Sequence, residues 1–347
     1  MDRRQFLKFG LAGSAALTGV NLFAIGRARA ALPVNLYSAR HYDTDEALYT
    51  EFTKQTGIVI NRIEAGADQL VERMKAEGVN SPADVFISVD AGRIERAREM
   101  GLLRPLKSPV LEAAIPAHVR DPEGHWFGFS KRARVIMYHK DRVKPDEIKT
   151  YEELADAKWK GRLLNRSSTA IYNQSLTGAM LAAHGAARTE EWCKGCVANF
   201  ARPPRGGDTD QIKAVAAGEG DICVANTYYL GNLIGSKKEE ERALAEKIGV
   251  IFPNQSDRGT HINISGGGVA AHSKNLEGAQ KLLEYLVSAS AQRYFAHGNN
   301  EYPVVGGIDL PAGIVGFGAF KEDQLNARVY GANNAEALKI MDRAGWK

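Results

Sequence analysis

The hydrophobic pattern of the chain changes period repeatedly, from short apolar runs to stretches with helical spacing and back. LPVNLYS (32–38) reads as a strand and DEALYTEFTKQTG (45–57) as a helix that stops at Gly57. GIVINRIE is a second strand and residues 67–77 a second helix. ADVFISV (83–89) is a third strand, and GRIERAREMGLL (92–103) a helix ended by Arg104-Pro105. Strands alternating with helices predict an α/β protein. WFGFSKRARVIMYHK (126–140) is strand-like over more residues than one sheet needs, and a helix–strand pattern then follows to about residue 230. KIGVIFP (247–253) and SGGGVAAH (265–272) look like returning strands, with the three glycines 266–268 read as a turn or hinge. LEGAQKLLEYLVSASAQRYF (276–295) has the spacing of a helix.

Two long segments, near 130 and near 255, are placed to cross between lobes. A chain that leaves one α/β unit, builds a second and returns makes two lobes on paired connections. Such a hinge closes around a ligand in the cleft.

The first thirty residues change the charge picture. MDRRQFLKFGLAGSAALTGVNLFAIGRARA has a basic start, an apolar small-residue middle and the ending Ala28-Arg29-Ala30, the layout of an export signal cleaved near Ala30. Arg3-Arg4 followed by Gln5-Phe6-Leu7-Lys8 fits the twin-arginine pathway. Gly10, Gly13, Gly19 and Asn21 make the middle a poor spanning helix. This segment holds five of the 45 basic residues and one of the 41 acidic ones, so the remainder is balanced and the whole-chain charge of +4 implies no nucleic-acid surface. Cys193-x-x-Cys196 has redox or half-zinc spacing, but no second pair completes a zinc site; a local disulfide and two inert thiols both remain open. Cys223 sits in an apolar run and is read as buried.

Four of the twelve tyrosines stand where helices begin. Tyr42 precedes Asp43, a good N-cap with Glu46 three residues on. Tyr172, in RSSTAIYNQS, falls in the first turn after Ser168 or Thr169. Tyr228 and Tyr229 follow Asn226-Thr227, the close of the strand GDICVA. In open α/β sheets, ligands bind beyond the carboxyl ends of strands, at helix N-termini. A free phenol ionises near pH 10. A helix N-terminus favours its anion by only about 0.3–1 kcal/mol, less than one pKa unit. A small, highly charged cation does far more. Several phenol oxygens together suit Fe(III) rather than zinc, which prefers nitrogen and sulfur.

The stretches NLYSARHYDTD, SPADVFISVDAGRIERAREMGLL, FGFSKRARVIMYHK, TYEELADAKWKGRL, SSTAIYNQS, GEGDICVANTYYLGN and SGGGVAAHSKNLEGAQKLLEYLVS resemble the ferric-iron substrate-binding proteins of bacterial ABC importers. These are the bacterial transferrins of the Fbp and FutA type, and the resemblance covers nearly everything after residue 31. It implies a two-lobed periplasmic-binding-protein fold (type II-like) with the ligand in the inter-lobe cleft. It further implies a monomeric, non-enzymatic periplasmic carrier that passes Fe(III) to an ABC permease at the inner membrane. By position, Tyr228 and Tyr229 match the family's ligand pair, Tyr172 a third ligand of the tyrosine-rich subgroup and Tyr42 a fourth. His41 falls where several members use a histidine ligand. Members with one His, one Glu and two Tyr carry the glutamate where this chain has Val89, beside Asp90 on the opposite face. The tyrosine-rich scheme, with no exogenous anion, is therefore expected.

Four phenolates around Fe(III) leave one negative charge, which a partly buried site tolerates poorly. Arg132 and Arg134 share one face of a strand, and Arg202 and Arg205 lie in ARPPRGGDTD. Arg132 and Arg205 are the expected supports beside the ligands. The lobes are expected over 31–130 with 257–305, and over 131–256 with 306–347. The same fold carries other ligands. A polyamine would call for carboxylates and stacking aromatics, an oxyanion for no tyrosine pair, and iron sequestration inside the cell for an ineffective signal. No G-x-S-x-G, H-E-x-x-H or P-loop points to an enzyme.

Overall fold

A computed structural model describes residues 32–40 and 42–347; the expected export segment and His41 lie outside the described residues. The strands are β1 (Val34–Ser38), β2 (Ile60–Glu64), β3 (Val85–Ser88), β4 (Leu103–Arg104), β5 (Phe127–His139), β6 (Leu163–Leu164), β7 (Ile222–Asn226), β8 (Ile248–Ile251), β9 (Ile262–Ala270) and β10 (Tyr302–Pro303). Their order is β2-β1-β3-β9-β5-β7-β6, with β4 on β9 and with β8 and β10 on β5. The helices that matter below are α1 (Asp45–Thr56), α2 (Ala67–Glu77), α3 (Ala91–Glu99), α4 (Pro109–Ala114), α5 (Ile171–Asn199), α6 (Asp208–Ala217) and α7 (Thr227–Ile234). β1 pairs in parallel with β2 and β3, the connections running through α1 and α2. Parallel pairing requires such crossovers.

The length of β5 has a structural reason: the strand is shared. Phe127–Ala133 runs antiparallel to β9, whereas Arg134–Tyr138 pairs with β7 and Ile136–His139 with β8. The partner changes between Ala133 and Arg134, and the hydrophobic interior divides at the same place. One buried cluster gathers Val34, Leu36, Phe52, Phe86, Phe127, Phe129, Ile264 and Leu282. Two others cover opposite faces of the second half of β5, Ile136 and Tyr138 with Ile222 and Val224 on one side, Val135 and Met137 with Cys223 and Ala225 on the other. That division follows from the two-residue alternation of strand side chains. The chain beyond residue 306 contributes to all three, through Tyr330 to the first, Met341 and Trp346 to the second and Ile314 to the third.

Several local expectations differ from the structure. The glycines 266–268 lie inside β9, not in a turn. A Cβ at Gly267 would stand 2.0 Å from the Phe86 carbonyl oxygen, and one at Gly268 the same distance from that of His125. Backbone presses on this strand from both neighbours, so residues without side chains are required. The long helix expected over 276–295 is broken: it runs Leu276–Leu286 and restarts at Ala289, where the Ser288 hydroxyl accepts from the Ala291 amide. The N-cap of α1 is Thr44 rather than Asp43, and Asp45 turns back to pair with Arg40. Cys193 and Cys196 are unpaired and buried along α5, and burial pushes the Cys193 thiol up to about 12, which leaves it inert. Cys223 is buried in β7.

Candidate metal centre

Three chain junctions deliver four phenols to one place. Tyr42 sits in the turn between β1 and α1, Tyr172 in the first turn of α5, and Tyr228 and Tyr229 in the first turn of α7, directly after β7. The Tyr228 hydroxyl meets the Tyr172 hydroxyl at 3.2 Å. The rings of Tyr228 and Tyr229 lie side by side, with centroids 4.2 Å apart and planes inclined by 34°. Adjacent residues on a regular strand would diverge to opposite faces; the strand-to-helix junction removes that constraint. Tyr172 and Tyr228 are buried, and Tyr42 and Tyr229 are half-buried and keep partial access to solvent. Neither α5 nor α7 has a side-chain cap at its start: the N-caps are Ala170 and Asn226, not Ser168 or Thr169. The amides of both first turns are thus unclaimed by capping side chains.

Burial favours the protonated form of Tyr42, Tyr172 and Tyr228. Burial pushes Tyr42 up to about 12; the Glu301 carboxylate adds to this, and Arg132 and Arg40 pull against it. Tyr172 and Tyr228 are raised well above the ordinary phenol value, first by burial; Tyr229 and Tyr42 then raise Tyr172, and Tyr172, Tyr42 and Tyr229 raise Tyr228, while Arg132 pulls against both and the Tyr228 hydroxyl against Tyr172. Mutual repulsion among the four as anions is itself a sign of their proximity. A trivalent cation reverses it, since its charge lies at bonding distance from each phenolate oxygen and the other phenolates lie farther off.

Four arginines surround the cluster, each with its guanidinium near a tyrosine ring: Arg40 at 4.7 Å from the Tyr42 centroid, Arg132 at 5.7 Å from Tyr228, and Arg134 and Arg166 at 5.8 and 5.7 Å from Tyr172. They are held by three carboxylates. Glu301 takes Arg132 and Arg40, Asp45 takes Arg40, and Asp208 takes Arg134 at 2.7 Å and Arg166 at 3.4 Å. Arg132 also donates to the Val89 carbonyl and the Ser265 hydroxyl, and Arg134 to Asn173 and Asn226. Four guanidiniums against three carboxylates leave one positive charge. A trivalent cation on four phenolates carries one negative charge, so the two balance.

Of the two expected supports, Arg132 stands beside the Tyr228 ring and Arg205 lies elsewhere. The Arg205 side chain is 70% exposed on the loop before α6 and pairs with Glu219 at 3.5 Å, away from the tyrosines. Its place is taken by Arg40, Arg134 and Arg166. Arg40 and Arg166 lie in the very stretches that hold Tyr42 and Tyr172, a proximity that could have marked them. Arg132 and Arg134 do share a strand face, yet they serve different carboxylates because β5 changes partner between them. Glu301 carries no sequence signal: it meets Arg40 from 261 residues away. Val89 offers only its carbonyl, to Arg132. Asp90 caps α3 through the Arg93 amide and accepts from Ser175 and Asn263, so its carboxylate is committed. A second group of metal-binding type, Asp121 with Glu123 and His125, is already engaged by Arg328.

A divided α/β frame with polar residues converging at helix starts defines a bacterial extracellular solute-binding protein. The sequence profile of that family matches residues 47–315, and the chain belongs to it. Within the family its similarity is to proteins of iron uptake. Iron uptake protein A1 of Synechocystis is 49% identical over the whole of this chain and 99% of its own length. The solved structure of the Trichodesmium protein IdiA (FutA), in complex with iron and citrate, is 59% identical and superposes with a TM-score of 0.88 over 91% of this chain and all of that one. The ferric binding protein of Campylobacter jejuni, at 42% identity, superposes with a TM-score of 0.86 over 90% of this chain and all of that one.

Proposed function

We propose that this chain captures Fe(III) with Tyr42, Tyr172, Tyr228 and Tyr229 and delivers it to an ABC permease at the inner membrane. The observation that carries this reading is the meeting of phenols from three helix starts inside a shell of arginines whose surplus charge matches a tetraphenolate ferric centre. Iron is cargo here, not a resident cofactor. His41, next to Tyr42, is a fifth candidate donor. The carboxylates beside the tyrosines are all paired with arginine, which leaves none for a polyamine. The relatives' names support iron as the ligand.

In this reading the protein is a periplasmic monomer, exported by the twin-arginine route with cleavage near Ala30. The lobes comprise 31–130 with 257–305 and 131–256 with 306–347, and the stretch around Phe320–Tyr330 leans back on the first. Incubation with ferric nitrilotriacetate followed by desalting tests the function. One iron per chain, with a phenolate charge-transfer colour, is expected; a colourless, iron-free protein overturns the reading.

A further inference from the structure

Among the carboxylates near the tyrosines, Glu301 joins Arg40 to Arg132 without a hydrogen bond to any phenol. It is wholly buried, and each of its oxygens is occupied by one arginine. Oε2 accepts from both Nη1 and Nη2 of Arg40 at 3.2 Å, while Oε1 takes Arg132 Nη2 and, at 3.3 Å, the Ser265 hydroxyl. Arg40 follows β1 and Arg132 lies on β5, so the carboxylate ties two separate strands together. Each of these guanidiniums then stands near a tyrosine ring, Tyr42 for one and Tyr228 for the other. Buried charges persist only when they are paired, and inside a protein a unit charge is felt over several ångströms with little screening.

A carboxylate in this position has two effects. It fixes the arginines, and it cancels part of their field at the metal. Reduction of Fe(III) adds one negative charge to the centre, which neighbouring negative charge opposes and neighbouring positive charge assists. We infer that Glu301 is a positioning residue that sets the ferrous-versus-ferric preference of the site, its single charge holding the centre toward Fe(III). This rests on the iron reading above. It assigns to Glu301 a role distinct from ligation and from packing.

The test is a mediated redox titration of the iron-loaded full chain, loaded from ferric nitrilotriacetate and followed by its visible band, with circular dichroism as a check on folding. Glu301→Gln keeps the shape and removes the charge. It should raise the Fe(II)-to-Fe(III) affinity ratio at least tenfold, which is about 59 mV upward for a one-electron couple. Glu301→Asp keeps the charge and shortens the reach, and should move the potential by less than half as much. If Glu301→Gln does not fold, Arg40→Gln makes the opposite change in charge and must lower the potential. An unmoved potential in Glu301→Gln overturns the inference, as does an equal upward shift in Glu301→Asp or, in the fallback, an unmoved or raised potential in Arg40→Gln. No visible band in the unsubstituted protein overturns the iron reading, and this one with it.

Discussion

A protonated phenol is a weak ligand, and burial holds Tyr42, Tyr172 and Tyr228 toward that form. Tyr42, pushed up to about 12, and Tyr172 and Tyr228, raised well above the ordinary phenol value, carry their protons throughout the neutral range. Each must release its proton to bind, so affinity rises with pH and falls in acid. Adding ferric nitrilotriacetate to weakly buffered protein near pH 7 should release at least three protons per iron from these residues, read by a pH electrode after adding back the protons retaken by the freed nitrilotriacetate and by hydroxide on the chelate. Release of one or none would mean that the phenols stay out of the coordination shell. The roles of the arginines were only partly legible in the sequence. A strand face can be counted, which gave Arg132; whether a loop residue such as Arg205 turns inward depends on packing that local pattern does not encode. Glu301 was illegible for the same reason, since its partners come from distant strands.

At the level of elements, the alternation of strands and helices was legible because period follows directly from backbone geometry. The strand-to-helix junction that brings Tyr228 and Tyr229 together was legible too. The glycines of β9 were misread, since in sequence a close approach between strands looks the same as a turn. The structure predicts that Gly267→Ala, whose Cβ would collide with the Phe86 carbonyl, destabilises the protein by about 1–3 kcal/mol or more. Thermal or urea unfolding measures this, and an unchanged midpoint would show that the strands can part. His261, directly before β9, packs edge-on to Tyr330 with its Nε2 unpartnered. Burial, with Arg134 and Arg258, lowers its imidazole from 6.5 to about 3. The folded chain thus holds His261 neutral while the unfolded chain protonates it below 6.5. This contribution to stability is complete above pH 6.5 and is lost as pH falls toward 3, at up to about 1.4 kcal/mol per pH unit. His261→Phe should flatten that part of the stability curve in denaturant titrations at pH 7, 5 and 4; an identical slope refutes the assignment.

Across the whole molecule, the shared strand β5 makes the tyrosine cluster a property of both lobes at once. In the proposed division, Tyr42 and its Arg40–Glu301 support fall in the first, and Tyr172, Tyr228 and Tyr229 with Asp208 in the second. On the proposed reading, binding one ion to both sets draws the lobes together; the Asn300 amide donates to the Asn232 side-chain oxygen at 2.7 Å. Small-angle scattering should therefore give a smaller radius of gyration with iron than without, and identical curves would remove closure from the account. Closure is secondary to the ligand set itself. The most direct measurement is the visible spectrum of iron-loaded Tyr228→Phe, a change that removes only the oxygen meeting Tyr172. A folded variant whose phenolate-to-iron band is weakened and shifted, with iron lost more readily to citrate, is the predicted result. A band and iron retention equal to those of the unsubstituted protein would contradict it.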